Sequence, residues 1–178
     1  MARPGDATRA MLAARMAAAS GVVAALAELG THATAEAEPG PGGNSASRLL
    51  AAAYVGDVRL VQALLAGGVA NVNDTDADGW SALLLAASQG HSQLARVLVG
   101  LGADVEYRLD GDVTPLHMAS INGHSDIAAI LVRGGANVDE RSADAKTALM
   151  IAAANGHDDV VTALLDLGAD IETKDKHG

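Results

Sequence analysis

The chain has 178 residues, 49% of them hydrophobic, and carries a net charge of −10, with 12 basic residues against 22 acidic ones. That balance permits a buried core, but it argues against nucleic acid or an anionic membrane surface as partner, since both demand clustered Lys and Arg. The absence of Cys removes disulfides, thiolate zinc sites and thiol nucleophiles and fits a cytoplasmic setting, while a lack of Phe with one Trp and two Tyr leaves Ala, Leu and Val to build the interior.

Residues 1–44 form an Ala-rich segment. Arg3, Arg9 and Arg15 precede an apolar run, Met16–Ala27, that Ser20 and Gly21 interrupt. The run is shorter than the ~18 residues a membrane span needs, so no membrane insertion is expected. It reads either as a targeting segment or as an Ala-rich surface helix. Transit peptides are richer in Ser and Thr than this stretch, which favours the helix. Val22-Val23, Leu26 and Leu29-Gly30 echo Val160-Val161, Leu164 and Leu167-Gly168. Residues 8–30 are therefore read as a degenerate repeat or helical cap, with a loosely attached helix as the alternative. Thr34–Asn44, rich in Ala, Glu, Pro and Gly, reads as a linker.

From Ser45 onward the sequence repeats. Gly90-His91, Gly123-His124 and Gly156-His157 recur every 33 residues, as do Gly102, Gly135 and Gly168. One step further back lies Gly56, displaced by one position because Val69 is an extra residue. The segments Ser81–Ser88, Thr114–Ser120 and Thr147–Ala154 each open on a hydroxyl suited to capping a first turn, and Pro115 follows Thr114 where a helix tolerates a missing amide. Gly90, Gly123 and Gly156 then stop these helices. Second helices are expected over Gln93–Val99, Asp126–Val132 and Asp159–Asp166, with apolar residues at helical spacing. Gly-Ala-Asp/Asn-Val/Ile leads from each into a short polar turn.

Thr114-Pro115-Leu116-His117-Met118-Ala119 resembles the opening motif of the ankyrin-repeat family. Ser81–Ala86 and Thr147–Ala152 are drifted copies, and Leu101–Val105 and Leu167–Ile171 resemble the family's repeat ending. The resemblance covers Ser45 to Gly178. It implies an all-α solenoid, an array of stacked antiparallel helix pairs with short β-turn fingers, and repeats near 45–75, 76–108, 109–141 and 142–174. A further repeat starts at 175–178. Two departures stand out. The finger glycine is Gly79 in one repeat but Asp112 and Ala145 in the next two, and the first repeat opens Ser47-Arg48-Leu49-Leu50 without Pro or His. The expected core includes Leu83, Leu94, Leu98, Leu116, Ile127, Leu131, Leu149, Val160, Val161 and Leu164.

Several motifs compete with this reading. Asp74–Gly79 looks like the start of a calcium loop, but its twelfth position is Leu85 instead of a bidentate Glu. Gly90-His91-Ser92 and Gly123-His124-Ser125 resemble a nucleophile elbow but lack its second glycine, with Leu94 and Ile127 in that place. His91, His124 and His157 stand one per repeat, too far apart to converge on a metal, and are expected to stitch neighbouring hairpins. Lys146-Thr147 lacks the glycines of a phosphate loop, and Asn73-Asp74-Thr75 is a formal glycosylation sequon. No catalytic residue, metal or cofactor is expected.

The resemblance instead implies a scaffold or adaptor that binds another protein on a concave face of fingers and first helices. The family's contact positions fall here on Tyr54 and Val55, then on Asp78, Trp80, Ser88 and Gln89. A further group is Arg108, Asp110, Val113, Ile121 and Asn122, another is Arg141, Asp144, Lys146 and Asn155, and Lys174 and Lys176 come last. Trp80, Tyr54 and the ladder Arg108, Arg141, Lys174 carry the side-chain types enriched at binding hot spots, or their charge. The alternative is a regulatory repeat region of a larger kinase, ubiquitin ligase or channel, with chemistry outside this chain. The chain is also expected to be a fragment, or to be followed by more repeats, leaving Leu149, Val160, Leu164 and Leu165 exposed and the protein monomeric only if capped.

Overall fold

The computed structural model describes residues 45–176. These hold eight helices in four pairs: α1 (Ser45–Val55) with α2 (Val58–Ala66), α3 (Ala82–Gln89) with α4 (Ser92–Gly100), α5 (Pro115–Asn122) with α6 (Ser125–Arg133), and α7 (Ala148–Asn155) with α8 (Asp158–Asp166). The first helices α1, α3, α5 and α7 pack in an unbroken row. The second helices α4, α6 and α8 form a parallel row, which α2 joins more lightly. The expectations for residues 1–44, and for the last two residues, lie outside the described residues.

Local chemistry sets the helix ends. The hydroxyls of Ser81 and Thr147 accept from the amides of Leu84 and Met150 at 3.3 and 3.4 Å. Thr114 and His117 cap each other reciprocally above Pro115. Each first helix is only 8 residues long in the three later repeats, too short to hold in isolation, so packing on both sides must sustain it. In α3 the residues from Ala82 to Ser88 are all buried, as expected for a helix apolar all round. Alanines at 82, 86 and 87 let the neighbouring helices approach closely.

The fingers are minimal. Single antiparallel bridges join Thr75 to Ser81 and Leu109 to Val113, and Ser142 donates to the Lys146 carbonyl at 3.0 Å. The two departures at the finger glycine have a structural cost. Gly79 sits at φ +82°, and the chain forces Asp112 and Ala145 into the same left-handed region, at φ +54° and +57°.

Nine of the ten expected core residues are buried, and Val161 is half-buried. Three of the four residues expected on an exposed terminal face need correction. Leu149, Val160 and Leu164 are buried within their own pair and against α5 and α6, and of the four residues named only Leu165 is exposed, at 40%.

Candidate functional site

The joints between repeats are chemically uniform. The Nε2–H of His91 donates to the carbonyl of Tyr54 at 2.9 Å, that of His124 to Ser88 at 3.3 Å, and that of His157 to Ile121 at 3.0 Å. Each imidazole also lies over the glycine that ends the preceding first helix. A Cβ on Gly56, Gly90 or Gly123 would come within 2.6, 2.7 and 2.8 Å of the respective ring. Glycine is required at these positions twice over, by a positive φ and by the ring above it. The periodic histidines thus spend their Nε2–H groups on backbone carbonyls.

The family opening motif supplies a second joint. His117 is buried, with Nδ1 accepting from the Thr114 amide at 3.1 Å. That fixes the tautomer, so Nε2–H donates toward the carbonyls of Glu140 and Lys146, at 3.1 and 3.2 Å, in the next finger. Burial pushes the His117 imidazole below its usual pKa, more than the two backbone acceptors raise it, and the ring is held neutral.

Of the residues assigned to a partner-binding face, Asp78, Arg108, Asp110, Arg141 and Lys174 are exposed, and Tyr54, Gln89, Asn122, Lys146 and Asn155 are half-buried. Two assignments are corrected. Trp80 is 0% exposed and Ile121 is 5% exposed, so neither side chain reaches a partner. Trp80 occupies the entry to α3. Its amide donates to the Asp76 carboxylate at 2.8 Å and its carbonyl accepts from the Asp76 amide, which turns the indole into the core. Ile121 sits in the last turn of α5, between α3 and α7. Ser88, in the last turn of α3, is buried likewise, and Val113 is buried in the finger bridge to Leu109.

The basic ladder is also largely consumed inside the chain. Arg108 reaches Glu140 at 2.7 Å and Asp112 at 3.7 Å. Arg141 donates to the Lys174 carbonyl at 2.6 Å and to Ala145 at 3.3 Å, and Lys176 pairs with Asp144. The bonds from Arg108 to Glu140, Arg141 to Lys174 and Lys176 to Asp144 tie each finger to the next, a role that the 33-residue spacing alone does not reveal. The aspartates of the calcium-like stretch serve their own backbone: Asp74 accepts from Asn71, and Asp76 from Asp78 and Trp80. Asn73 of the sequon bonds Gly102 and Asp104 through its side chain. Among the described residues no group of three His, Asp or Glu is arranged to hold a metal, and no helix is long and apolar enough to cross a membrane.

Also at the surface are a row at the C-terminal ends of the first helices, with Val55 exposed and Gln89, Asn122 and Asn155 half-buried, and the finger carboxylates Asp78, Asp110, Asp112 and Asp144, of which Asp112 and Asp144 pair with Arg108 and Lys176. Val55, 51% exposed next to Tyr54, is the apolar member of the row.

Residues 10–109 and 108–175 match the family model described as ankyrin repeats (3 copies). The first match begins inside the Ala-rich segment. A stretch of 55 residues is 44% identical to "Ankyrin repeat, SAM and basic leucine zipper domain-containing protein 1" of Saimiri boliviensis boliviensis and of Ateles geoffroyi, covering 31% of this chain and 12% of each relative. The protein of the same name from Nomascus leucogenys is 43% identical over 56 residues, 32% of this chain and 12% of its own length. The chain therefore spans only a small part of the length of these curated relatives.

Proposed function

Because the chain belongs to the ankyrin-repeat family, we propose that it is a protein-interaction module that holds its partner on the face made by the finger tips and the C-terminal ends of the first helices. One observation carries this reading. The constant chemistry of the array lies in its joints, where Gly followed by His recurs in the three later repeats, and leaves the ends of the first helices outside them: exposed Val55, and the half-buried carboxamides Gln89, Asn122 and Asn155. A row of side chains that the joints do not use is what a repeat array can offer to a partner. Tyr54 and Val55 offer an apolar anchor at one end, and the acidic finger tips favour basic or amide groups on the partner. The reading assigns the chain no catalytic step.

A second reading makes these repeats the interaction region of a larger protein whose chemistry lies outside this sequence. The relatives favour it, since their printed names place SAM and basic leucine zipper domains beside ankyrin repeats.

A photo-crosslinking side chain placed at Val55 or Asn122 of the full chain tests the face. It is expected to capture one and the same partner, whereas the same group at Leu101, on a second helix's turn, captures none. Capture from Leu101 with none from Val55 and Asn122 refutes the assignment.

A further inference from the structure

The second helices carry one face that the fold leaves bare. Their second residues, Arg59, Gln93, Asp126 and Asp159, stand at the same place in α2, α4, α6 and α8, and all four are exposed. The positions one turn further on, Gln62, Arg96, Ala129 and Thr162, are exposed or half-buried. Charge is graded over these first two turns. It is positive on the first two helices, with Arg59 and Arg96, and negative on the last two, with Asp126, Asp158 and Asp159. Helix electrostatics account for only part of the gradient. An acidic side chain in a first turn suits the positive end of the helix dipole, which explains Asp126 and Asp159 but sets Arg59 against it. Nor does the chain use these charges internally. Arg108 and Lys176 form ion pairs in the fingers, whereas among the described residues Arg59, Arg96, Asp126 and Asp159 form none. Packed helices lie about 10 Å apart, so Arg59 and Asp159 are separated by about 30 Å and cannot meet within one chain.

We infer that this face binds a second copy of the chain, about a two-fold axis that runs parallel to the helices between α4 and α6. Such an axis lays the face on its own image, reverses the order of the helix pairs and keeps the helix N-termini together. Arg59 of each copy then faces Asp159 of the other, and Gln93 faces Asp126. Each contact is made twice, which is how a graded face becomes self-complementary. Arg96 falls opposite Ala129, whose short side chain lets the guanidinium reach Asp126 one turn away. Gln62 and Thr162 meet as neutral hydrogen-bonding groups. The contact lies over the first two turns of the second helices and leaves Leu101 outside it. Charge selects the second copy over other occupants, because a uniformly basic or uniformly acidic partner meets repulsion at one half of the face. The inference concerns the second helices alone and does not depend on the partner face proposed above.

Sedimentation equilibrium of the full chain at low ionic strength is expected to show a dimer that weakens as salt rises. Arg59→Asp and Asp159→Arg are each expected to raise the dimer Kd by about tenfold or more, because each turns two attractive pairs repulsive. Both positions are exposed, so circular dichroism is expected to show unchanged helicity in either variant. The decisive measurement mixes the two. In a mixed pair every reversed residue meets an opposite charge, so an equimolar mixture is expected to dimerise at concentrations where neither variant does alone. The doubly substituted chain is expected to recover self-association for the same reason. A chain that stays monomeric at every concentration and salt overturns the inference. So does a dimer indifferent to both reversals, or one that the mixture fails to restore. Growth beyond a dimer overturns it too, since a closed two-fold leaves no copy of the face free.

Discussion

Ala145→Gly is expected to stabilise the protein. Ala145 sits at the finger position that Gly79 fills in the second repeat, with φ +57°. An L-residue in this region costs about 1–2 kcal/mol, from the approach of Cβ to the backbone. Removing the side chain recovers that cost but returns about 0.4–1 kcal/mol of freedom to the unfolded chain, so the net gain is roughly 1 kcal/mol. The bonds at the site are made by the main chain and survive: the Ala145 amide donates to Ser142 at 2.7 Å, and its carbonyl accepts from Arg141 at 3.3 Å. For a chain of this size the gain corresponds to about 2–4 °C in Tm. Urea titration followed by far-UV circular dichroism should show a raised midpoint at unchanged slope. Gly79→Ala is the reverse experiment. It imposes the same strain at φ +82° and sets a Cβ 3.3 Å from the Tyr107 hydroxyl and 3.4 Å from Leu109, so it should lower Tm. A lowered Tm for Ala145→Gly, or a neutral Gly79→Ala, would refute the assignment of strain to the finger position.

Trp80→Ala is expected to destabilise by about 3–5 kcal/mol, the range for emptying a buried aromatic site, with partner affinity per folded molecule unchanged. A calorimetric titration at a temperature where the variant is folded checks the second half of that statement. Acidification should weaken the protein through His117. Its folded pKa is depressed, so its contribution is full above the unfolded value near 6.5 and is lost as pH falls through the folded value; His117→Gln should flatten the fall of the urea midpoint between about pH 7 and pH 5. Gly123→Ala should destabilise more than Gly156→Ala. Both glycines have positive φ, but only the first lies under a histidine, at 2.8 Å from His157, and the difference between their urea midpoints measures the joint.

The frame of the molecule was legible because its determinants are local and recur. A hydroxyl before an apolar run, a glycine that ends it and a histidine after the glycine each act within a few residues, and three periods expose them. The surface was less legible. Trp80 was read from its type, which is common at interfaces, but the column it belongs to continues as Val113 and Lys146, and two apolar members out of three already point inward. Ile121 shares a column with Tyr54, Ser88 and Ala154, so only the neighbouring repeats decide which member is covered. The arginine ladder misled for another reason. Its acceptors, Glu140 and the carbonyl of Lys174, come from the following finger, and a backbone carbonyl leaves no trace in residue identity.

The histidine joints use two things that no surface substitution touches, a main-chain oxygen and a missing Cβ. The side chains of Val55, Gln89, Asn122 and Asn155 lie next to these joints without taking part in them. Drift at those positions therefore leaves assembly intact, and an acquired specificity can be exchanged for another without first passing through an unfolded ancestor.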